Sequence, residues 1–218
     1  MPPNGDFTTT TILSPMVAPA SRLSESWERI AARKVADRQA ILDQYPQWKL
    51  REPVPANVTD ISHLPISQLT IREREIVCQD ATSLVEALRD RRYTSVEVTT
   101  AFCHVAAVAQ GLTNCLTEIC FADALRRAAE LDRHLEETGE VVGPLHGLPV
   151  SIKDHILVKG LDTSTGYIAW AYRTKASKDA VVVSLLRRAG AVFYVKTANP
   201  QTLLVSARSA RQIGRAHV

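Results

Sequence analysis

Two short apolar runs, Leu148–Ile152 and Ala191–Val195, have a single amphipathic stretch between them, and this arrangement constrains the fold more than any other feature of the chain. The first run is bounded by Gly147 and Asp154 with Pro149 near its start, as a buried strand is. The second is rich in β-branched and aromatic residues. The stretch between them reads as a helix over Lys178–Ala189, with Asp179 in its first turn, Arg187 and Arg188 in its last, and Gly190 just past its end. Strand, crossover helix and strand in this order predict parallel pairing, because a tight turn cannot join parallel neighbours. The fold class expected is therefore α/β, with helices from the N-terminal half packing as a layer on a mixed or parallel sheet.

That helical half carries its own start signals. Thr70-Ile-Arg-Glu73, Ser83-Leu-Val-Glu86 and Thr94-Ser-Val-Glu97 each match a capping box, in which a hydroxyl and a carboxylate satisfy unpaired backbone N–H groups. Leu84, Val85 and Leu88 give the second helix its apolar face, and Val96, Thr99, Cys103 and Ala106 the third. A fourth helix is expected over Phe121–Glu137, presenting Leu125, Ala128, Leu131 and Leu135, with Gly139 past its end. Further upstream, Trp27, Ile30, Ala31, Val35, Ile41, Leu42 and Tyr45 share a helical face that Pro46 closes, and Pro53–Pro65 reads as an irregular linker. Residues 1–22, rich in Pro, Thr and Ser, read as a disordered tail, residues 23–204 as one domain region and residues 205–218 as an irregular or non-native tail.

Composition narrows the function classes. A net charge of +3 with both signs interleaved leaves no basic block for nucleic acid, and Arg89–Asp90–Arg91–Arg92 suits a helix end. No apolar run approaches the ~20 residues a membrane helix requires. Cys78, Cys103, Cys115 and Cys120 form no C-x-x-C pair and no metal-ligand spacing with histidine, and read as reduced thiols of a soluble, cytoplasmic protein.

Four ordered segments carry a family resemblance. Gly143-Pro-Leu-His-Gly-Leu-Pro-Val-Ser-Ile-Lys-Asp154 resembles the segment that opens the core of amidase-signature enzymes. Leu112–Ile119, Gly160–Gly166 and Lys196-Thr-Ala-Asn-Pro-Gln-Thr202 resemble further segments of that family in the same order, and the likeness is to its acetamidase-like branch. The resemblance implies a hydrolase of linear amides with a Ser–cis-Ser–Lys triad, in which the matching lysine is Lys153. It implies a small-molecule amide substrate, no metal and no organic cofactor, and it leaves room for a homodimer of the complete enzyme.

The chemistry explains a lysine there. A free ammonium titrates at about 10.4 and is no base at neutral pH. Desolvation on a buried strand favours the neutral amine, which can take a proton from a bridging serine and so activate a nucleophile. Taken without the resemblance, a lysine ending a strand is a snorkelling surface residue. Ser151 lies two residues from Lys153 on the same strand face, so a Ser151–Lys153 dyad is conceivable, yet no oxyanion-hole glycines adjoin it. Its plainer role is that of a hydrogen-bonding strand residue. His146 is expected to fix the glycine-flanked turn, Asp154 to orient the backbone after the strand, and Asn199-Pro200 to start a short helix. His146 and His155 have no partner at metal-ligand spacing.

No Gly/Ser-rich segment, the source of both triad serines in the family, occurs between Asp154 and Val218, so this chain is expected to be inactive. The ending has two readings. Ile213-Gly-Arg-Ala-His-Val218 is what a common sequencing-library adapter encodes in one frame, which makes it a foreign terminus on a truncated gene. Alternatively Gly214-Arg215 is genuine, since related amidases carry a Gly-Arg nearby. Two other functions remain open at this point. One is an amidotransferase subunit acting on charged tRNA, against which the extension Leu23–Trp48 counts. The other is a non-catalytic interaction fragment.

Overall fold

The computed structural model describes residues 25–51, 54, 60–200 and 203. The expected N- and C-terminal tails lie outside the described residues, as do residues 53 and 55–59 of the linker expected over 53–65.

Helix α1 (Trp27–Leu42) buries Ile30 and Ala31, and Pro46 ends the run in a 3-10 turn over Pro46–Trp48. The turn brings Trp48 flat against Tyr45, with ring centroids 4.4 Å apart, and both rings meet Phe121 edge-on at 5.6 Å. Aromatic burial of this kind fixes the far end of α1 to the middle of the protein. Three short helices follow: α2 (Leu64–Ser67), α3 (Ile71–Val77) and α4 (Ala81–Arg89). Then comes the long α5 (Ser95–Thr113).

The capping boxes expected at Thr70/Glu73 and Thr94/Glu97 are formed. The one expected at Ser83/Glu86 is not. There the cap is Asp80, whose carboxylate accepts from Ser83 N at 2.9 Å and also takes the Ser83 hydroxyl, so α4 begins at Ala81. A carboxylate outcompetes a hydroxyl at this position because it also answers the helix dipole.

Helix α5 is buried along most of its length, and its start is held from outside: Asp132 accepts from the backbone N–H of Ser95 at 2.6 Å and of Val96 at 3.0 Å. Asn114, in the left-handed region at φ 49°, ends it. Strand β1 (Leu116–Ile119) follows, then α6 (Phe121–Thr138), which stops at Gly139 with φ 75°, within one residue of its expected end. Asp132 thus locks α6 to α5.

Strand β2 (Pro149–Lys153), helix α7 (Val181–Arg188) and strand β3 (Val192–Thr197) form the expected crossover unit. β2 and β3 run parallel, with Pro149 opposite Val192 and Lys153 opposite Thr197. β1 joins the other side of β3 antiparallel, with Leu116 opposite Thr197, so the sheet is mixed and ordered β1-β3-β2. The fold is thus α/β with helices on a small mixed sheet. Asp179 stands before α7 and not within its first turn. Its carboxylate accepts from Lys159 N at 2.6 Å and Arg187 Nε at 2.9 Å, tying the preceding loop to the helix.

One core cluster joins Trp48, Cys103, Phe121 and Val195 between α5, α6 and the sheet; another joins Ile76, Leu88, Val98 and Leu148 between α3, α4, α5 and the start of β2. The outer face of α7 stays apolar and open, with Val181 78% and Leu185 52% exposed. Among the described residues no helix is long and apolar enough to cross a membrane.

The glycines on either side of His146 have steric reasons to be glycine. A Cβ on Gly143 would stand 2.8 Å from Ala189 O, and one on Gly147, at φ 75°, would stand 2.3 Å from Ser95 Oγ. Gly147→Ala combines that clash with left-handed strain. It is expected to destabilise the chain by roughly 2–3 kcal/mol in urea titrations followed by circular dichroism. A change below about 0.5 kcal/mol, the range of ordinary surface substitutions, would refute this packing.

Candidate active site

Along β2 the side chains alternate: Ser151 and Lys153 are exposed, while Ile152 and the following Asp154 are buried. Lys153 and Ser151 therefore share a face as expected, but no hydrogen bond joins them. The ammonium of Lys153 instead donates to the Ala198 carbonyl at 2.8 Å. The desolvation expected for Lys153 is not found in this chain; burial on this strand falls on its neighbours.

Those neighbours build a polar centre under the end of the sheet. Asp154 N continues the ladder to Thr197 O at 2.9 Å. Its carboxylate accepts from Thr117 Oγ1 at 2.9 Å on β1, and from Ser164 Oγ at 3.1 Å and Thr165 N at 2.6 Å in the loop after β2. Asp154 thus orients the backbone after the strand, as its position suggested. On β3, Lys196, paired with Ile152 of β2, is 1% exposed. Its ammonium donates to Asp162 O at 2.8 Å and Thr163 Oγ1 at 3.0 Å and lies 3.7 Å from Asp154 Oδ1. Burial pulls its proton affinity down, and the carboxylates of Asp154, Glu118 and Asp162 only partly oppose that, so its pKa is lowered.

A second cation extends the centre to α1. Lys34 bridges Glu118 Oε1 at 2.7 Å and Asp162 Oδ2 at 3.0 Å. Burial acts against its charge, but Glu118 and Asp162 prevail and its pKa is raised. For Glu118 burial outweighs the attraction of Lys34, and its carboxyl titrates above its ordinary value. Burial would raise Asp162 as well. The Tyr172 backbone N–H, Lys34 and the Thr174 hydroxyl overcome it and hold the carboxyl below the usual range.

The glycine-flanked turn is fixed by His146, 2% exposed, whose Nδ1 accepts from Val142 N at 3.1 Å. Burial, opposed by Asp132, pushes its pKa down and favours the neutral ring. His155 is exposed and takes no part in the centre. Among the described residues no group of His, Cys, Asp and Glu is arranged to hold a metal. The helix expected from Asn199-Pro200 lies mostly outside the described residues, although Leu203 N donates to Pro200 O at 3.1 Å. Sequence reasoning missed Lys196 and Lys34. The one available signal for Lys196 was a lysine continuing the apolar run 191–195 before that strand had ended.

The model of the family described as Amidase matches residues 97–217. An acetamidase of Emericella nidulans is 43% identical over 196 residues, which are 88% of this chain and 35% of the relative. An acetamidase of Aspergillus oryzae is 42% identical over 193 residues, again 88% of this chain and 35% of the relative. A solved structure titled fatty acid amide hydrolase superposes with a TM-score of 0.61 at 28% identity, covering 83% of this chain and 36% of that one. The chain spans about a third of the length of the curated relatives it matches.

The Asp162 shift sets a pH dependence. A carboxyl depressed in the folded state contributes stability that is complete well above its unfolded value of about 3.9 and is lost as pH falls through the folded value. Asp162→Asn is expected to cost roughly 2 kcal/mol at pH 7, and the deficit should shrink below about pH 4. Urea midpoints measured from pH 7 to pH 3 check this; a deficit independent of pH would contradict the assignment.

Proposed function

The chain belongs to the amidase family, and from that premise we propose that the complete enzyme hydrolyses a linear carboxamide to a carboxylate and ammonia or an amine, with Lys153 as its proton acceptor. The observation that carries this reading is the placement of Lys153 at the open end of β2, its amine anchored on Ala198 O, within the stretch that the family model matches. The likeness to two fungal acetamidases supports a small amide as substrate.

In the proposed mechanism Lys153, made neutral by burial under the remainder of the enzyme, takes a proton from a cis-serine, which takes one from the nucleophilic serine. The nucleophile's Oγ bonds to the amide carbon, and the C–N bond breaks as the leaving nitrogen receives the proton returned along the same relay. Water then attacks the acyl ester, the serine leaves with a proton, and the carboxylate is released. Backbone N–H groups beside the nucleophile would hold the oxyanion. No metal or organic cofactor enters any step. The four free cysteines favour a reducing, cytoplasmic setting.

Division of labour decides what this chain does alone. An amine that accepts protons replaces neither the acyl-carrying serine nor the oxyanion donors, and such groups act as a unit. The 218-residue chain is expected to show no amide turnover and no labelling by a fluorophosphonate. A version restored to the length of the relatives should do both, and Lys153→Ala in it should lower kcat by about 10²–10⁴ or more with the fold intact. Turnover by the short chain that disappears in Ser151→Ala would establish the Ser151–Lys153 dyad instead.

A further inference from the structure

A cavity of about 230 Å³ opens between α1, β1 and the loop over residues 160–175, and neither Ser151 nor Lys153 lines it. Its charges are unevenly paired. Lys34 is engaged by both Glu118 and Asp162, and Asp37 accepts the Tyr172 hydroxyl. Arg38 and Lys175 remain as wall cations, and neither forms an ion pair among the described residues. Arg38 Nε is buried with no hydrogen-bond partner, and Nη2 has only a long contact of 3.4 Å to Asn114 Oδ1. A guanidinium edge withdrawn from water and left with spare donors matches a carboxylate, whose two oxygens fit the fork.

The remaining walls define what kind of anion enters. Asp37, Glu118 and Asp162 stand nearby and penalise a second negative charge, which selects a monoanion over phosphate. Ile41 and Ile119 offer an apolar floor for a short alkyl group. The volume lies below the roughly 300–1,000 Å³ of pockets that take drug-sized ligands, so the guest is small. Burial also lowers the proton affinity of Arg38, with Glu118, Tyr172 and Asp37 opposing, so its charge gains from an added anion.

We propose that this cavity binds a short-chain monocarboxylate, with its carboxylate on Arg38 and Lys175 and its alkyl end against Ile41 and Ile119. The site stands apart from the catalytic proposal. It touches the polar centre beneath β2 through the shared side chains of Lys34, Thr117, Glu118 and Asp162, so a bound carboxylate would adjust the charge around that centre.

The test is an NMR titration of the 218-residue chain with sodium propionate at constant ionic strength. Saturable shifts of the Thr117, Glu118 and Gly160 amides with a dissociation constant in the range of about 1–10 mM are expected. Arg38→Gln should weaken binding by about tenfold or more. Lys175 is exposed at the rim, so Lys175→Gln leaves the core untouched and is expected to weaken binding about threefold. It decides the matter if Arg38→Gln fails to fold. Sodium chloride and sodium phosphate should produce no saturable shift at these amides. Linear shifts with propionate, equal binding of phosphate, or undiminished affinity in the variants would overturn the proposal.

Discussion

The ammonium of Lys196 is withdrawn from water at the end of the central strand, and the arrangement around it depends on that single charge being answered. Its three partners come from different places: the Asp162 carbonyl and Thr163 hydroxyl from the loop after β2, and the Asp154 carboxylate from the end of β2 itself. Removing one member of such a buried set leaves the others uncompensated, at a cost of roughly 3–5 kcal/mol. The loop over residues 162–165 therefore has little freedom. Asp154 collects Ser164 Oγ and Thr165 N on its second oxygen and holds Thr165 at φ 54°. Lys34 then brings α1 to the same place through Asp162 and Glu118.

This centre explains how a lysine can be presented without being buried. The backbones of Lys153 and Thr197 are paired, and the neighbouring side chains Ile152, Asp154 and Lys196 face inward. Lys153 is thus the outward member of an alternation whose inward members are fixed. Its amine reaches across to Ala198, one residue past the end of β3. Such a position suits a group that must meet a second layer of protein, because the stem is held while the charge stays available.

Much of this was legible in the sequence where short-range chemistry decides the outcome. Thr70 and Thr94 start helices because their boxes are complete within four residues, and Gly139 stops one because its conformation is local. Ser83 misled because Asp80, three residues upstream, starts the helix earlier: its carboxylate takes both the Ser83 backbone N–H and the Ser83 hydroxyl that the expected box needed. β1 escaped because Leu116–Ile119 has four residues and a burial pattern set by β3, about 80 positions later in the chain. The placement of Lys153 on a strand was readable, but its exposure and the depth of Asp154 and Lys196 were not. A buried lysine is defined by partners, and these come from residues 154, 162 and 163, which only the tertiary fold assembles.

The sheet order carries a consequence for biosynthesis. Among the described residues the last strand in sequence, β3, is central, and β1 and β2 touch it and not each other. As the chain leaves the ribosome, α5 and α6 can dock through Asp132, yet both earlier strands must remain unpaired until Thr197 has emerged. At about 5–20 residues per second, β2 waits roughly two to nine seconds for its neighbour. For that interval Lys153 lies on a strand with no sheet, and the polar centre that will hold its stem does not yet exist.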